Sequence, residues 1–134
     1  MLELDTNKVC YIIVKARGFD AQTDVVEPDY GSDAIDDGFR QVLEAYADDP
    51  TFDEAKTAID DLNIDEQCQL VALAWVGRGD YSVDEWDEAL AAARDGHTKH
   101  TALYLLGMPL LGDFLEEGLA AFGGSCEDFE MGHL

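Results

Sequence analysis

LNIDEQCQLVALAWVGRGDYSVDEWDEALAAARD, Leu62 to Asp95, divides at GRGD into two helices joined by a tight turn. In the first, about Ile64 to Val76, the residues Leu70, Val71, Leu73, Ala74, Trp75 and Val76 are too nearly consecutive to share one stripe. A helix apolar on every side is one that others pack around. Asn63 is a good N-cap for it, and Glu66 stands in the capping-box position. Gly77 is the expected terminator, where a left-handed residue is wanted. Ser82 and Glu85 form a second capping box, after which Val83, Trp86, Ala89, Leu90 and Ala93 recur at helical spacing. Asp84, Glu85, Asp87 and Glu88 fill the first turn and outer face of this second helix, where negative charge suits the helix dipole.

Outward from this centre the same periods continue. Asp5 caps a first helix over about 5–17, with Val9, Ile12, Ile13 and Ala16 in a stripe and Gly18 as its stop. Residues 18–31 read as a long acidic loop, the segment most open to motion. Ser32 opens a helix to about Ala47, with Ile35, Phe39, Val42, Leu43 and Tyr46 on its buried face and Asp48-Asp49-Pro50 breaking it. Thr51 and Glu54 read as a capping box for a short helix through Phe52, Ala55, Ile59 and Leu62. Beyond the centre, His97 to Leu106 reads as a helix. Gly107-Met108-Pro109 is a stop and restart, with Pro109 at the first position of a last helix to Phe122. Gly118 lies on the core face of that last helix, so a neighbouring helix can come close there. Residues 125–134 read as a frayed tail. The fold class is all-α: a compact single-domain bundle of about seven short helices around a buried central helix at about 64–76.

Charge bounds what such a bundle can meet. Among 134 residues, thirty Asp and Glu face eight Lys and Arg, for a net charge of −22. The excess is spread over the whole chain rather than held in a tail. Such a surface repels phosphates and anionic membranes, so neither nucleic acid nor membrane is an expected partner. The helix after GRGD begins DEWDE, the wrong chemistry for a recognition helix. The longest apolar run near the N-terminus, Val9 to Val14, is too short for a secretory signal. No run approaches the roughly 18 residues of a membrane span. Cys10, Cys68 and Cys126 are widely spaced and odd in number, which reads as three reduced thiols in a cytoplasm rather than a disulfide framework.

Few residues carry chemistry. Arg78 is nearly alone among acids, bracketed by glycines at the end of an apolar helix. Either it clamps nearby carbonyls and a carboxylate such as Asp80 or Glu116, or it anchors a ligand in a cleft with Trp75, Trp86 and Tyr104. His97 and His100 share one face of the expected helix and are weak candidates to begin a metal site, with no third ligand near them in sequence. The segment after Gly79 has the back half of a calcium loop, but Ala74, Val76 and Arg78 fall where ligands would have to be. Cys68 reads as a small core residue. No catalytic signature or phosphate loop is present, no catalytic residue is assigned, and no cofactor is expected.

LNIDEQCQLVALAWVGRGDYSVDEWDEAL, followed by YLLGMPLLGDFLEEGL, resembles the DUF3775 family, a bacterial domain of unknown function. The resemblance covers about Leu62 to Gly123 and rests on the words LVALAWVGRGD, DEW, LLGMPLL and LEEGL in that order. It implies a helical, bacterial, cytoplasmic protein and supplies no activity, cofactor or catalytic residue. The residues themselves point to a non-enzymatic acidic interaction or regulatory domain with a protein or small-molecule partner. Two alternatives remain open: an enzyme or ligand- or metal-binding protein with a site near Arg78, His97 and His100, and a nucleic-acid mimic that binds a basic protein.

Overall fold

The structure, a computed structural model, describes residues 4–19 and 48–126 together with 44 and 46. The described residues are all-helical. In chain order they form α1 (Thr6–Phe19), α2 (Pro50–Asp60), α3 (Ile64–Arg78), a single 3-10 turn (Val83–Glu85), α4 (Trp86–Asp95), α5 (Thr101–Leu106) and α6 (Leu111–Ala121). The helix expected at Ser32 to Ala47, residues 20–31 of the loop before it and the tail beyond 126 lie outside the described residues, apart from isolated positions; Gly18, the expected stop of the first helix, is still helical, and α1 runs through it to Phe19.

α3 is the centre, as its composition demands. Every residue from Cys68 to Val76 is buried, including the polar Gln69. Its N-terminus closes with the expected capping box: Asn63 Oδ1 accepts from Glu66 N at 2.8 Å, and Glu66 Oε1 accepts from Asn63 N at 3.0 Å. The other end differs from expectation. Gly77 does not terminate the helix; α3 runs on to Arg78, and Gly79 is the left-handed cap at φ 96°. The reason lies in packing. α6 crosses at Gly77 so closely that a Cβ there would overlap the Phe114 carbonyl oxygen and lie 2.9 Å from Gly118 N. A Cβ on Gly118 would lie 2.5 Å from the Leu73 carbonyl oxygen. The two glycines let two helix backbones touch.

The remaining helices wrap this pair. α4 packs on α3, α1 on α6 and α2, and α2 on α5. α1 keeps its expected stripe, with Asp5 Oδ1 accepting from Asn7 N at 2.9 Å. α2 is capped by Asp49, not Thr51: Asp49 Oδ1 accepts from Thr51 N at 2.9 Å. Pro50 then takes the first helical position, where its missing N–H costs nothing. α5 begins at Thr101 rather than His97. Thr98 Oγ1 accepts from His100 N, and Thr101 Oγ1 donates to the Thr98 carbonyl, local bonds that compete with helix. α6 begins at Leu111 rather than Pro109. The chain turns between buried Met108 and buried Leu111, and Leu110 takes the left-handed conformation at φ 63° with its side chain exposed.

Two kinds of cross-link fasten α1. The first is ionic. Lys8 reaches Glu66 on α3 at 2.7 Å, Lys15 reaches Glu54 on α2 at 3.0 Å, and Arg17 forks onto Asp113 and Glu116 on α6 at 2.8 and 3.3 Å. Arg94 of α4 similarly reaches Asp65 of α3 at 2.8 Å. A few cations in an acidic chain thus sit at the seams between helices. The second cross-link corrects the expectation of three free thiols. Cys10 and Cys126 form a disulfide with Cα atoms 5.6 Å apart. Cys68 remains a free, buried thiol. The pairing spans 116 residues, so only the folded topology reveals it.

Three outcomes follow for stability. Leu70→Ala and Leu73→Ala each cost about 2–5 kcal/mol in urea unfolding, the range for a buried leucine; if both cost less than about 1 kcal/mol, α3 is not the core. Gly77→Ala tests the helix contact by sign: propensity alone would stabilise an ordinary helical position by about 1 kcal/mol, whereas the overlap with Phe114 makes this substitution destabilising. The acid limb follows from two seam carboxyls. Hydrogen bonds from Arg94 and then Gln69 hold Asp65 below the usual carboxylate range, as those from Lys8 and the Asn63 amide hold Glu66. Their contribution is therefore present above the unfolded pKa and lost as pH falls through the depressed folded values. Added salt, and acid down to about pH 5, raise the melting temperature by relieving repulsion among the surplus acids. Below about pH 4 the melting temperature falls. An Asp65→Asn, Glu66→Gln double variant with an unchanged acid limb would overturn that assignment.

Candidate functional site

The turn after α3 builds the site. With Gly79 left-handed, the Asp80 amide donates to the Trp75 carbonyl at 2.9 Å, folding the chain back on the helix end. This places Tyr81 beside Trp75, with ring centroids 6.0 Å apart. From the opposite side α5 presents Tyr104, whose hydroxyl accepts from Trp75 Nε1 at 2.9 Å. That bond satisfies the indole N–H and lets the ring stay buried. Arg78 lies at the rim; its Nε donates to Asp80 Oδ2 at 2.8 Å, and its Nη2 lies 2.7 Å from the same oxygen. Trp75, Arg78, Asp80, Tyr81 and Tyr104 line a groove of about 380 Å3.

Three of the four residues expected at a cleft are thus together: Trp75, Arg78 and Tyr104. Trp86 is not. It is 4% exposed and packs edge-on against Phe122 at 5.0 Å, as a core residue. It stands in the first turn of α4, and the packing of that helix turns the ring inward. Glu116, one of the carboxylates considered for Arg78, is bound instead by Arg17. Tyr81 is the residue that the sequence reading missed. The signal was its place directly after GRGD, once Gly79 rather than Gly77 is recognised as the cap.

The histidines do not join this group. His97 precedes α5 and its Nε2 lies 2.7 Å from Gln67 Oε1. Along α3, residue 67 is about 16 Å from residue 78 at 1.5 Å per residue. His100 is the N-cap residue of α5 rather than a member of a shared helical face with His97. Among the described residues no three His, Cys, Asp or Glu side chains are gathered as a metal site needs. Cys68 is buried in α3 and its thiol is pushed up by desolvation, away from the thiolate a nucleophile requires. Among the described helices none is long and apolar enough to cross a membrane. A larger groove, about 430 Å3, runs between α1 and α2 past Asn7, Tyr11, Ile12, Ala58 and Leu62. It lacks the convergence of ring faces, guanidinium and hydroxyl found at the end of α3.

Residues 52–123, more than half of the chain, match a family described as a protein of unknown function, DUF3775. The chain belongs to the DUF3775 family. The match begins earlier than the residues that first suggested it and takes in all of α2 after its first two residues. No curated protein and no solved structure matches the chain. All five groove residues lie inside the DUF3775 match, whereas α1, Cys10 and Cys126 lie outside it.

The Arg78–Asp80 fork holds the turn that positions Tyr81. Both side chains are partly exposed, so the pair contributes modestly. Arg78→Ala lowers stability by about 0.5–1 kcal/mol. Arg78→Lys lowers it by less, because lysine keeps the charge but cannot reproduce the planar fork. Thermal melts of the two variants and wild type check this; three superimposable curves would show that the fork clamps nothing.

Proposed function

We propose that this DUF3775 protein is a non-enzymatic interaction domain that takes a basic segment of a partner protein into the groove at the end of α3. The observation that carries the reading is the groove itself: the rings of Trp75, Tyr81 and Tyr104 gather around one fixed Arg78–Asp80 fork, on a chain of net charge −22. Lys8, Lys15, Arg17, Lys56, Arg78 and Arg94 are each bound to a carboxylate, so the acidic surplus is left to face outward. A surface of that sign steers a cationic partner in, and the half-buried ring of Tyr81, backed by the buried Trp75 and Tyr104, then holds a lysine or arginine head or an apolar anchor. Arg78 is not needed for the charge match; its part is to keep Asp80 and Tyr81 in place.

Tryptophan fluorescence tests this directly. The Trp86→Phe variant leaves Trp75 as the one tryptophan, at the groove. It is titrated with a short peptide rich in lysine and arginine, and with the same peptide carrying glutamate instead. The basic peptide shifts Trp75 emission and binds more weakly as salt rises, and Tyr81→Ala weakens binding about tenfold, the effect of a modest hot spot. The acidic peptide leaves the emission unchanged. Silence with the basic peptide would sink the proposal. Equal binding by Tyr81→Ala would move the contact onto the carboxylate surface, as a nucleic-acid mimic would have it.

A further inference from the structure

We infer that Cys10 and Cys126 form a redox-operated latch, a reversible disulfide that fastens α1 to the DUF3775 core. The two helices it joins are already tied at one end by ions. Arg17, near the end of α1, holds Asp113 and Glu116 in the first half of α6. Cys10, in the first half of α1, meets Cys126 just beyond the end of α6. The helices are therefore antiparallel, with a salt fork at one end of the seam and sulfur at the other.

Three observations make this bond a latch rather than a brace on which the fold depends. First, both cysteines lie outside residues 52–123, so the bond joins α1 and the segment after α6 without closing any contact internal to the core. Second, α1 has other attachments that persist without it: the buried Val9, Ile12, Ile13 and Ala16, and ion pairs to α2, α3 and α6. Third, Cys126 ends a short non-helical turn in which Gly123 and Ser125 are exposed, so opening that turn admits an attacking thiolate. Cys68 does not compete for either partner: it is held in the central helix α3 as a free thiol while Cys10 and Cys126 meet each other.

The chemistry balances with a disulfide compound as oxidant. Cys10 and Cys126 each give up a proton and one electron to form the Sγ–Sγ bond. The oxidant, a small-molecule disulfide or the disulfide of a thiol oxidoreductase, takes up both and leaves as two thiols. Reduction is the reverse. In the closed state the unfolded chain is cross-linked over 116 residues, which restricts it strongly. In the open state the first half of α1 and the turn after α6 are held only by packing and ions, and the groove wall carrying Asn7 and Tyr11 loosens with them.

The test uses the full chain in glutathione buffers stepped from fully reduced to mostly oxidised, followed by acid quench and alkylation with a mass tag. The tagged thiols pass from three to one, Cys68 alone, within that series. The oxidised protein melts about 10 °C above the reduced one, with the same helix content by circular dichroism. Cys126→Ser melts like the reduced wild type in every buffer, and Cys68→Ala keeps the full response. If Cys126→Ser does not fold, the reduced wild type supplies the open state. A single tagged thiol in the most reducing buffer would make the bond a permanent staple, and three in the most oxidising would abolish it; either overturns the latch, as does a disulfide formed between two chains.

Discussion

Two helix backbones come into direct contact where Gly77 of α3 meets Phe114 and Gly118 of α6. Much else depends on that distance. Side chains elsewhere on the two helices interlock at the spacing these glycines allow, and Leu73 packs directly against Gly118. Because Gly77 is occupied as a contact surface, it stays helical and cannot end the helix. The left-handed turn passes to Gly79, and the turn that follows carries Asp80 and Tyr81 back to Trp75. The shape of the groove is thus set by a contact on the opposite side of the helix.

Electrostatics acts on a different part of the fold. With few cations available, each one placed between helices does more than neutralise a neighbour. Three of them stand on α1 and reach three different helices. Each such exposed pair is weak alone. Together with the disulfide they hold in place a helix that precedes the matched family residues. The core inside the match is held mainly by apolar burial, and α1 by burial with ionic and covalent ties.

Legibility in the sequence followed the range of the forces involved. The caps by Asn63 and Asp5 act over two or three residues and were readable, as was the all-round apolar run that became α3. The close approach at Gly118 was readable because a glycine on an apolar helical face has few other uses. The choice between Gly77 and Gly79 was not, since it depends on what crosses the helix. The same holds for Trp86 against Tyr81: both follow the turn, and only packing sends one ring into the core and the other to the groove. The histidine spacing misled because the hydrogen bonds from the His100 amide to Thr98 Oγ1 and from Thr101 Oγ1 to the Thr98 carbonyl delay α5 past both. Cys10 with Cys126 was the least legible, two residues far apart in the chain with no local pattern around either.

The attachment of α1 also has a consequence in time. Its partners on α6 lie almost a hundred residues downstream, and its sulfur partner farther still. α1 finds its seat on α2 first and its seat on α6 only after a much longer stretch of chain has been made, so its docking is completed in two stages. Contacts of that sequence separation also form late because the loop they close is long. Between the two stages α1 has only α2 to lean on, through Lys15 to Glu54 and the contacts around it. Lys8 and Arg17 are the charges left over in that interval, and they become ties only when α3 and α6 arrive.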